Sequence, residues 1–74
     1  MSKEEVELRE ARRRAHRAFD AIWMSGLTTR TRAYAWLQKI MHLKKREAHI
    51  ARFTREQCEQ LIVECGRFKN GRLS

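Results

Sequence analysis

The stretch Arg9–Trp23, REARRRAHRAFDAIW, writes two faces into one helix length. At about 100° per residue, Leu8, Ala11, Ala15, Phe19, Ile22 and Trp23 gather on one arc of a helix. Arg9, Arg13 and Arg17 fall side by side on the opposite arc, with Arg14 at one margin and His16 at the other. One arc predicts an anchor in a core. The other predicts an anion-binding surface, because five arginines (Arg9, Arg12, Arg13, Arg14, Arg17) within nine residues exceed what solubility asks of a helix.

Working outward, Ser2 and Glu5 have the spacing of a capping box and Gly26 is a stop signal, so the first helix is predicted over about 3–25. Thr28 or Thr29 caps a second helix, predicted over 29–43, in which Ala33, Trp36, Leu37, Ile40 and Met41 recur at helical spacing and Tyr34 widens the arc. Residues 45–50 read as a short helical turn, followed by a connector whose Ile50 and Phe53 plug the core. Thr54 and Gln57 repeat the capping-box spacing and open a last helix over 55–68, with Cys58, Leu61, Ile62, Cys65 and Phe68 on one face. Residues 70–74 read as a frayed tail. With no proline, repeat or polar linker, residues 1–74 form a single all-α domain: three helices with a short extra turn before the last.

The chain carries 17 Lys and Arg against 9 Asp and Glu, a net charge of +8. Residues 11–55 hold twelve of those cations against Asp20 and Glu47 alone, a local net of +10, while the first ten residues are acidic by two and residues 56–74 balance. A field concentrated in this way suits nucleic acid first, then an acidic protein. A membrane surface ranks third, since the arginine helix keeps its apolar face for the core. No stretch reaches the roughly 18 to 20 apolar residues of a membrane span, and no signal-peptide core is present, so the expected setting is the cytoplasm. Cys58 and Cys65, seven apart, would stand two helical turns or about 10 Å from each other, too far for a disulfide, and read as reduced core residues. His16, His42 and His49 add no ligand pattern to them, so neither metal nor cofactor is expected.

The strings AHRAFDAIWMSG (15–26), TRTRAYAWL (29–37) and HIARF (49–53), with the Cys58 helix, come in an order and spacing that resemble the C-terminal region of a family of small zinc-finger-containing phage and prophage proteins of unknown function. The resemblance covers roughly residues 8–65. In that family a cysteine-rich zinc-binding part precedes these helices, and no counterpart of it is recognised here, so no metal ligand carries over. The resemblance implies a phage or bacterial source, a cytoplasmic setting in the host cell and a helical module able to stand alone.

Candidate sites divide between structure and function. His16 and Asp20, four apart, form a pair that invites acid–base chemistry. Without a third partner, a nucleophile or a phosphate-cradling loop the chain does not read as an enzyme. Both residues, and His49, are expected to serve the fold by reaching a loop backbone or the 49–53 segment. Trp23, Tyr34 and Trp36 interleave with arginines as base-stacking residues do, yet each lies on or beside an apolar stripe and is assigned to packing. The short turn at Gly26 also fits a helix-turn-helix, with Arg30, Thr31 and Arg32 at the reading end.

The surface expected to bind comprises Arg9, Arg12, Arg13, Arg14, Arg17, Arg32, Lys39, Lys44, Lys45 and Arg46. The leading expectation is a small phage-type nucleic-acid-binding protein. The alternative is an accessory or inhibitor protein that docks on an acidic surface of a host nucleic-acid enzyme or defence complex. The wide apolar arc of the second helix leaves room for a homodimer buried on Trp36 or Tyr34.

Overall fold

The computed structural model describes residues 2–73, and the side chains of 2–71. Three α-helices, α1 (Lys3–Met24), α2 (Arg30–Ile40) and α3 (Arg55–Leu73), alternate with two 3-10 turns, Lys45–Glu47 and Ile50–Arg52, that lie between α2 and α3. No strand occurs among the described residues.

Local chemistry sets most of the boundaries. Ser2 Oγ accepts the Glu5 N–H at 3.2 Å to open α1. The helix closes at Gly26, whose φ of +85° is open to a residue without Cβ. There the Gly26 N–H reaches the Trp23 carbonyl at 3.3 Å and the Ser25 hydroxyl donates to the Ile22 carbonyl at 2.9 Å. Thr29 caps α2, its Oγ1 accepting the Arg32 N–H at 3.2 Å.

That helix stops at Ile40, short of the predicted end at 43. The Leu43 N–H turns back to the Gln38 carbonyl at 2.9 Å and the His42 N–H to the Lys39 carbonyl at 3.4 Å, the two bonds of a Schellman motif. His42 occupies its left-handed position at φ +54°, where glycine is usual. Thr54 and Gln57 form the reciprocal capping box of α3: the Gln57 side chain accepts the Thr54 N–H at 2.9 Å and Thr54 Oγ1 accepts the Gln57 N–H at 3.2 Å. α3 runs to Leu73, so the segment expected to fray is helical up to that residue, and Ser74 lies outside the described residues. Phe68 packs edge-on against Trp36 at 5.1 Å between ring centres, which anchors the penultimate turn, and Asn70 and Gly71 cost a helix too little to end it there.

The core lies where α1 crosses α3, closed by the second 3-10 turn and by α2. Phe19, Ile22, Leu37, Phe53, Cys58 and Leu61 are fully buried, and Ile50 plugs the core from the connector. Ala11, Ala15 and Ala33 are buried as well, and their size lets the helices approach closely. Each such large side chain contributes about 1.5–3 kcal/mol by leaving water. An ion pair of 3.1 Å between Glu7 and Arg55 ties the first turn of α3 to α1.

Candidate functional site

On α1 the residues Arg9, Arg12, Arg13, His16, Arg17, Asp20, Ala21 and Met24 repeat at spacings of three and four and line one open groove of about 850 Å³, with Ala51 of the connector on its far side. The arginine row thus becomes a continuous face, but its members have different duties. Arg12 is half-buried and its Nε donates to the Phe53 carbonyl at 2.8 Å, across 41 residues of sequence, so it pins α1 to the start of α3. Arg13 and Arg17 are exposed, and among the described residues neither forms an ion pair. Arg14 is exposed but lies outside the groove.

Five of the nine acidic side chains are engaged elsewhere: Glu7, Asp20, Glu47, Glu59 and Glu64. Asp20 meets His16 Nε2 at 3.4 Å and accepts the Trp23 indole N–H at 3.1 Å. Both of these partners of Asp20 are on α1 itself, so in place of the expected reach to a loop backbone or to 49–53 there is an internal clasp on the last turns of the helix. Glu7 and Glu59 face Arg55, and Glu64 faces Arg67. Glu47, the one acid beside Lys44, Lys45 and Arg46, turns its carboxylate to the Lys44 backbone N–H at 2.9 Å and forms no ion pair among the described residues.

A second groove, of about 960 Å³, runs between α2 and the connector. Arg30, Thr31, Tyr34, Ala35 and Gln38 form one wall, and Lys45, Arg46, Ala48 and His49 the other. Its lining contains four basic side chains and no carboxylate. Here Lys45 and Arg46 join His49, which the sequence did not place on the binding surface, and Arg30, which it offered only at the reading end of a helix-turn-helix. His49 is exposed and, among the described residues, makes no side-chain hydrogen bond or ion pair. Arg32, Lys39 and Lys44 are exposed but line neither groove.

The aromatic residues are committed to packing. Tyr34 meets Phe19 edge-on at 4.8 Å, Trp36 meets Phe68, and the Arg30 guanidinium lies 5.4 Å from the Tyr34 ring centre and 5.9 Å from that of Trp23. Trp23, Tyr34 and Trp36 are each half-buried against the core, and the Arg30 guanidinium lies over Trp23 and Tyr34 at the α1–α2 corner.

Cys58 and Cys65 are buried and unbridged. Burial pushes both thiols up, Cys65 to about 11, with Arg12 beside Cys58 and Lys69 beside Cys65 opposing the rise. Thiols that hold their protons this tightly are poor nucleophiles and reluctant metal ligands.

Residues 3–67 match a family model described as a zinc-finger-containing domain. Neither the curated proteins nor the solved structures contain a match to this chain. A zinc finger needs four Cys or His side chains converging on one point, and the described residues offer no group of even three His, Cys, Asp or Glu placed to hold a metal. The zinc of the family's description therefore has no fitting ligand set in these helices. The match nevertheless spans nearly the whole chain, which belongs to this family of zinc-finger-containing domains.

Proposed function

We propose that this protein is a small nucleic-acid-binding module of phage type, acting in the cytoplasm of a bacterial host, and that the arginine groove of α1 is its primary contact. The observation that carries the reading is the stripe of Arg9, Arg12, Arg13 and Arg17 along one groove, with Arg13 and Arg17 exposed and, among the described residues, without ion pairs, while Glu7, Asp20, Glu59 and Glu64 pair elsewhere. A row of solvent-facing guanidiniums one helical turn apart matches the repeating charge of a phosphodiester backbone. With the aromatic rings taken up in packing, recognition rests on phosphates more than on bases.

The test is equilibrium binding of fluorescent duplex, single-stranded DNA and RNA at low salt to the wild type and to Arg13→Glu/Arg17→Glu. Affinity for at least one of the three, reduced by about tenfold or more in the variant, is expected. Absence of binding to all three, or equal binding by the variant, overturns the proposal.

A second reading draws on Met24. This side chain ends the arginine stripe and is 71% exposed, the most open of the large apolar residues described. A basic row ending in an apolar knob also suits an acidic surface on a host nucleic-acid enzyme or defence complex. A partner captured from bacterial lysate that survives nuclease treatment and is lost on Met24→Asp supports this second reading over the first.

A further inference from the structure

The two cationic grooves share a wall. Ala51 borders the α1 groove, while Ala48 and His49 border the α2 groove, so the connector is a ridge between them. Its shape follows from the 3-10 turn, in which residues three apart eclipse. Ile50 and Phe53 are both buried in the core, while Ala51 and Arg52 between them are exposed. Positive charge thus lies on both flanks of the ridge, with a further exposed arginine upon it. The carboxylate nearest this surface in sequence, that of Glu47, is held by backbone, and Asp20 at the end of the α1 groove is held by His16 and Trp23.

We propose that this face is built for a duplex: one phosphate row lies along the α1 arginines, the other enters the α2 groove against Arg30, Lys45, Arg46 and His49, and the ridge carries Arg52 into the groove between the strands. A duplex has two backbones flanking a groove. A single strand has one, and fills only one of the two tracks. The aromatic rings beside these arginines are held in contacts with Phe19, Phe68 and Arg30, so stacking does little to compensate a single strand for the missing row. This proposal rests on the nucleic-acid reading above and sharpens it by naming the form of the ligand and a second set of contacts.

The test uses Lys45→Glu/Arg46→Glu, two exposed positions that leave Arg30 and its ring contacts in place, beside Arg13→Glu/Arg17→Glu. Affinity for a duplex of about 16 base pairs and for a single strand of equal length is measured across a salt series, with circular dichroism confirming that both variants keep the helical fold. The expected result is a duplex preference of about tenfold or more. The Lys45→Glu/Arg46→Glu variant then lowers duplex affinity and flattens its salt slope by about 1.8, two phosphates at 0.9 each. Its affinity for the single strand changes by less than about threefold. Equal affinity for the two forms, or a duplex slope unchanged in this variant while Arg13→Glu/Arg17→Glu abolishes binding, overturns the two-track proposal and leaves the arginine groove standing. No binding of either form by the wild type, with RNA also negative, overturns both.

Discussion

A row of like residues need not share one purpose, and Arg12 shows the difference. It sits in the same groove as Arg13, yet its Nε is held by the Phe53 carbonyl at 2.8 Å in a partly buried setting. Charge-assisted hydrogen bonds of this kind contribute about 1.5–3 kcal/mol, whereas an exposed arginine without a partner contributes little. Arg12→Gln should therefore destabilise the domain by about 1–2 kcal/mol in urea unfolding, and Arg13→Gln by less than about 0.5. Equal effects would show that the Phe53 contact is dispensable. The division was not legible in the sequence, because Phe53 is 41 residues away and only the fold brings its carbonyl to α1. The clasp of His16, Asp20 and Trp23 was half legible: spacing placed the histidine and aspartate together, but the indole donor three residues on was assigned only to packing.

At the scale of elements, the beginnings of helices were easier to read than their ends. Ser2, Thr29 and the Thr54–Gln57 box act on backbone within three residues of themselves, so local sequence was enough to locate them. Gly26 ends α1 where its left-handed preference says it should. The end of α2 was placed late because its stop signal is carried by His42, a residue that seldom marks one. A non-glycine residue held at φ +54° pays for it in strain of about 1 kcal/mol or more. His42→Gly is accordingly expected to raise stability by about 1 kcal/mol, or about 4–8 °C in Tm for a domain of this size. A Tm that falls would mean that the imidazole supports the turn by a contact worth more than the strain. The same substitution leaves the two grooves untouched, since His42 lines neither.

For the molecule as a whole, the sequence puts excess charge on the first helix, the second helix and the 44–46 segment but does not show how the fold divides it between the grooves. Lys45 and Arg46 are joined by Arg30 and His49, while Arg32 and Lys39 are exposed on α2 and line neither groove. That partition depends on the path of the connector after the Schellman turn, which no local signal specifies. The family model covers residues 3–67, yet the described residues present no zinc-holding cluster, so in this chain charge and shape carry the functional argument. No helix among the described residues is long and apolar enough to cross a membrane.

The central claim is that exposed cations on this face meet phosphates, and counterion release measures such contacts directly. For duplex binding by the wild type, the slope of log affinity against log salt should lie near −4 to −5, as expected for about five phosphate contacts. A slope near zero, or no binding at the lowest salt, would contradict the claim.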